Sequence, residues 1–133
     1  VKEAIPFEDL NNCTDKKLEE YLSIYGGYRA YLEAQLAFVD SKKGILESGF
    51  EEALAKMLWT LESQKYINGK RPNKESLRGE AIAVNPNLRK LRQDLIETGA
   101  LYTRVLGLRN SFRAAYDAVS RVVALRSKVR DEI

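Results

Sequence analysis

Apolar side chains recur along this chain every three or four positions, and no stretch alternates in the strand-like way, so the pattern predicts helices throughout. Residues 1–13 (VKEAIPFEDLNNC) have no helical period, contain Pro6 and the Asn11-Asn12 pair, and read as a tail or short docking segment. Thr14 or Asp15 can cap a first short helix over about 14–25, where Leu18, Tyr21, Leu22 and Tyr25 fall at i, i+3, i+4 and i+7. The Gly26-Gly27 pair then costs about 2 kcal/mol relative to two alanines. A kink or break is expected there.

A second helix is expected over about 28–63, where Leu32, Leu36, Val39, Lys43, Leu46, Phe50, Leu54, Met57 and Leu61 follow one face. Its steps average about 3.6 residues, the period of a nearly straight helix rather than of a supercoil. Residues 64–85 change character. Asn68-Gly69 is a turn signal and Pro72 cannot lie inside a helix, so this is a basic loop with a short helical or extended piece around Lys74–Ala83. Asn85-Pro86 reads as N-cap and first helical position of a third helix over about 86–130. Its stripe is Leu88, Leu91, Leu95, Tyr102, Val105, Phe112, Tyr116, Val119 and Val123, interrupted by Thr98 and Arg109 and widened by Leu101, Leu106, Leu108 and Val122.

The expected fold is therefore all-α: a long antiparallel two-helix hairpin, coiled-coil-like, with a short N-terminal helix, in one domain over 14–133. Each stripe is too wide for a single partner helix to cover, so the hairpin is expected to assemble into a homo-oligomer. The interface is placed on Leu95, Tyr102, Val105, Phe112, Tyr116 and Val119.

Composition narrows the chemistry. With 44% apolar and 31% charged residues the chain is of ordinary soluble helical type, and no stretch approaches the roughly 20 apolar residues of a membrane span. Nothing resembles a secretion signal, and a cytoplasmic setting is expected. Cys13 is the single cysteine, so no internal disulfide forms within these 133 residues, and there is no histidine. That removes the usual base for a thiol nucleophile, the commonest metal ligand and the physiological-pH proton shuttle. Glu19-Glu20, Glu51-Glu52 and Asp131-Glu132 stand on single helix faces, whereas catalytic carboxylates converge in a pocket that separates their pKa values. No glycine-rich phosphate loop occurs, since Asn68-Gly69-Lys70-Arg71 lacks the strand and the hydroxyl residue. No enzyme activity, cofactor or metal is expected.

Charge is more informative. The net charge is +3, and residues 65–78 hold Lys65, Lys70, Arg71, Lys74 and Arg78 against Glu75 alone, with Tyr66 among them and Lys56 on the preceding helix. Cations that follow phosphates beside a ring that stacks on a base suit single-stranded nucleic acid. A solvated basic loop is the plain alternative. Arg92, Arg113, Arg121 and Lys128 share one flank of the last helix, where they can touch nucleic acid or pair with carboxylates of a neighbour. Tyr21, Tyr25, Tyr28, Tyr102 and Tyr116 lie on or beside the stripes and read as packing residues, while Trp59 is either an interface anchor or a stacking platform.

The order of features also resembles a known family. A helix ends in Tyr66-Ile67-Asn68-Gly69, a polar linker follows, and a long helix opens with Asn85-Pro86-Asn87-Leu88 and closes on Ala118-Val119 and Leu125-Arg126, with Gly99 and Gly107 in register. Over about residues 28–126 this is similar to the UvsY-type recombination mediator proteins of tailed phages. The resemblance implies a ring-like helical oligomer that binds single-stranded DNA, with a recombinase and a single-strand-binding protein as partners. The family's Lys-x-Arg pair falls here near Leu61 and Ser63, so Lys56 and Lys65 would have to serve instead. The alternative function is a helical structural or assembly protein, such as a virion or scaffold component, that binds only protein.

Overall fold

The computed structural model describes residues 7–65 and 73–132, and all the regular structure among them is helical. A 3-10 turn at Phe7–Asn12 precedes α1 (Asp15–Lys65), α2 (Lys74–Val84) and α3 (Pro86–Glu132). Contacts divide the chain into two units, each built on a segment of α1 packed against a segment of α3. One comprises the residues up to Phe38 and from Thr103 onward, the other Val39–Tyr102. Among the described residues no helix is long and apolar enough to cross a membrane.

In the first unit α1 starts at Thr14, whose Oγ1 accepts the Lys17 N–H at 3.2 Å while its carbonyl accepts that of Leu18. The core stacks Leu18, Tyr25 and Leu32 of α1 with Val105, Phe112 and Val119 of α3. Both rows step by seven, the 3.5-residue period of a coiled coil. The stripe over Leu32–Leu61 averages near 3.6 instead, because it includes two successive steps of four, Leu46 to Phe50 to Leu54. Partners run in opposite order along the two helices, Asp15 with Arg126 (3.0 Å) and Glu33 with Arg109 (3.0 Å), so the pair is antiparallel.

The expected break at Gly26-Gly27 is absent, and with it the separate short helix over 14–25: α1 runs through both glycines. Tertiary packing outweighs propensity at this point. Tyr25 and Tyr28 flank the glycines in sequence and hold the Phe112 ring at 5.8 and 5.2 Å between centroids, while the Tyr116 ring lies over Gly26. Aromatic pairs add about 0.5–1.5 kcal/mol each beyond their burial. Two such pairs offset most of the glycine cost.

Of the segment expected as a tail or short docking segment, the described part docks. Leu10, at the 3-10 turn, is 3% exposed and belongs to this core, where it covers apolar surface that α3 alone would leave open. Arg126 reinforces the turn by donating to the Asn11 carbonyl at 3.2 Å. On one flank of α1, about 100° round from the core row, Ile24, Tyr31 and Phe38 also step by seven and remain 48%, 54% and 67% exposed. Gly27, Ala30, Ala34 and Ala37 lie along this outer face, so it carries no charge.

The second unit has its own core of Phe50, Leu54 and Leu61 from α1, Leu77 and Ala81 from α2, and Leu88 from α3, with Met57, Leu91 and Leu95 packed against it. The short piece expected near Lys74–Ala83 is α2, opened by Asn73, whose Oδ1 accepts the Glu75 N–H at 2.9 Å. Asn85 serves two helices. Its N–H donates to the Ala81 carbonyl and closes α2, while its Oδ1 accepts from Asn87 and Leu88 and opens α3. The width of the stripe is evident in the sequence, but its cover is a tertiary matter. Here α2 lies across it, as Leu10 does in the first unit, so burial is obtained within the chain.

Candidate nucleic-acid interface

Those of the residues expected to bind nucleic acid that the structure describes belong to the second unit. Lys56 projects from α1 into solvent, paired with Glu52 at 3.4 Å, with both side chains more than 70% exposed. It borders a hollow of about 520 Å³, lined on the α1 side by Gly49, Ala53, Met57 and Thr60 and closed by Asn85 and Asn87 at the start of α3. Thr60 and Ser63 turn their hydroxyls onto the Lys56 and Trp59 carbonyls at 3.1 and 2.9 Å, so the polar groups presented here are the Lys56 ammonium, the Glu52 carboxylate paired with it and the asparagine amides.

Lys74 and Arg78 stand on α2. Arg78 reaches Glu51 at 3.9 Å and lies 5.8 Å from the Phe50 ring centroid, while Lys74 at the helix start forms no ion pair among the described residues. Lys65 closes α1. Its side chain, with Tyr66, Lys70 and Arg71, lies outside the described residues. The site is therefore not one cluster. Glu51 and Lys56 are five positions apart and project about 140° apart around α1, which places Arg78 and Lys56 on different flanks of the helix.

Arg78 has a companion that the loop-centred reading did not join to it. It lines a second hollow, of about 360 Å³, together with Arg92 of α3, Glu75, Gly79 and Ile82, with Phe50 at its wall. Helical spacing groups Arg92 instead with Arg113, Arg121 and Lys128. Those three are exposed residues of the first unit and form no ion pair among the described residues. Beside Arg92, Arg89 and Lys90 are exposed and likewise form no ion pair there. Counting charge past Pro86 would have found them: residues 56–92 hold nine Lys and Arg against three acids, a net +6, so the rest of the chain, 13 cations against 16 acids, carries −3.

The six residues expected at an oligomer interface all pack inside the chain. Val105, Phe112 and Val119 are core residues of the first unit, and Tyr116 lies beneath Arg29 at 5.7 Å. In the second unit Leu95 packs on the core, and Tyr102 is half-buried beneath Lys43 at 5.5 Å. The large apolar side chains left open among the described residues are others: Ile24, Tyr31, Phe38, Leu125 and Val129 in one unit, Ile45, Trp59, Val84, Ile96 and Leu101 in the other. Among the described residues no three His, Cys, Asp or Glu converge as metal ligands. No family model, curated protein or solved structure matches the chain.

Proposed function

We propose that this protein is a single-stranded-DNA-binding accessory factor of the recombination-mediator kind, a homo-oligomer that helps load a recombinase on DNA coated by single-strand-binding protein. The observation that carries the DNA-binding reading is the asymmetry of charge: a chain of net +3 concentrates +6 in residues 56–92. Self-association of identical subunits would repeat that basic segment, and weak sites repeated along one strand add up to avidity. The uncharged line of Ile24, Tyr31 and Phe38 supports self-association, because large apolar side chains left open in register suit a helix partner.

The same line favours a second reading, a structural or assembly protein that binds only protein. A fluorescently labelled oligonucleotide separates the two. Anisotropy should rise on adding protein at low salt and fall as salt is raised, because each phosphate contact releases a counterion with a slope of about −0.7 for single strands. Reversing Lys74, Arg89 and Lys90 to Glu should weaken binding and flatten the salt slope while leaving helicity intact. Undiminished binding after reversal sinks the assignment to this segment. No binding at low salt sinks the DNA reading and leaves the assembly protein.

A further inference from the structure

Trp59 is the chain's only tryptophan, and it stands 74% exposed on α1 in the second unit. It projects about 160° from Leu61, away from the core. Indole is the side chain with most apolar area to bury, so an open ring face offers a partner a large contact. Its surroundings indicate which kind. Its neighbours on the helix surface, three and four positions away, are Ala55, Lys56, Glu62 and Ser63, so no apolar patch rings it. A protein-binding hot spot needs a surrounding contact that excludes water. Ile45 lies two heptads back on the same line, but exposed Glu52 interrupts it. A base needs only one free ring face and a cation for the adjoining phosphate. Lys56 is one turn from Trp59, and its exposed pair with Glu52 contributes little, so a phosphate can replace that carboxylate at small cost.

We infer that Trp59 is a stacking platform for one base of a single-stranded nucleic acid, with Lys56 taking the neighbouring phosphate. The inference rests on the DNA-binding reading above and adds the residue that meets the base. As the only indole, Trp59 reports on itself. The full-length chain is titrated at low salt with unlabelled oligo-dT of about 20 nucleotides, long enough for one site, while anisotropy of the same oligonucleotide, labelled, follows binding independently. Trp59 emission should be quenched, saturate with the anisotropy and recover on adding salt. Trp59→Ala should keep its helicity by circular dichroism yet bind about 5-fold or more weakly, and Trp59→Tyr should keep most of the affinity. Binding by anisotropy with unchanged emission, and equal affinity for Trp59→Ala, overturns the inference and leaves the DNA-binding reading standing. No anisotropy change at low salt overturns both. A blue shift of emission that grows with protein concentration and needs no oligonucleotide means that the ring is buried against a second copy, and also overturns it.

Discussion

Replacing Gly26 and Gly27 with alanine tests the continuity of α1, the point on which local propensity and tertiary packing disagree most. In the structure both glycines are helical. A Cβ at Gly27 would meet nothing within 4 Å, and one at Gly26 would stand 3.4 Å from Tyr116 Cε2, an ordinary van der Waals distance. Neither methyl has to displace anything, so each substitution should recover most of the helix-propensity difference, about 0.8–1 kcal/mol. Gly27→Ala alone should add about 1 kcal/mol, and the double variant nearly twice that. In a chain of this size 1 kcal/mol corresponds to about 3–6 °C in Tm. Thermal melts followed at 222 nm, at one fixed protein concentration because self-association would shift Tm by mass action, give the readout. Gly27→Pro is the counterpart, since inside a continuous helix it should cost about 3 kcal/mol or more. A lower Tm for Gly27→Ala, or near-neutral behaviour of Gly27→Pro, would refute the reasoning: the chain would then break at the glycines, and the Tyr25–Phe112–Tyr28 packing would not hold it straight.

Phe112 is 1% exposed between two tyrosine rings, so Phe112→Ala should cost about 3–5 kcal/mol in urea titrations, and a loss below about 1 kcal/mol would remove that layer from the core. Arg109 interrupts the α3 stripe, 19% exposed, and its Nε is buried without a partner while one terminal nitrogen meets Glu33. Glu33→Ala should therefore destabilise by about 1–2 kcal/mol, whereas Arg109→Leu, which removes the polar group itself, should be neutral or stabilising; the same titrations decide, and equal losses for both would contradict this account. Asn85→Ala removes the Oδ1 that accepts from Asn87 and Leu88, and should cost about 1 kcal/mol, with faster amide hydrogen exchange in the first turn of α3. Phe38→Glu places a charge on the outer face of α1, so it should lower the mass measured by light scattering without lowering helicity, and an unchanged oligomer would show that this face is not the contact.

Much of this protein is set by short-range rules that one residue string can express. The helical class, the third helix with Asn85 as its cap, the short helix near Lys74 and the basic character around it follow from spacing, capping chemistry and charge, which act within a turn or two. Cover is a different matter. Which surface closes a wide apolar stripe depends on residues far apart in sequence, and here Leu10, Leu77 and Ala81 do part of that work inside the chain. For that reason the core residues of α3 that looked available for an oligomer, Val105, Phe112 and Val119, are already occupied, while Ile24, Tyr31 and Phe38 form an open line on a flank of α1. Gly26 and Gly27 show the same division. Their propensity is local and reads as a break, but the energy that keeps them helical comes from the Phe112 and Tyr116 rings of another helix, about ninety positions away. Charge obeys both levels. Its sum and concentration are written in the sequence, while the separation of Lys56 from Arg78 around α1, and the pairing of Arg78 with Arg92 across one hollow, exist only once three helices have fixed their angles to one another.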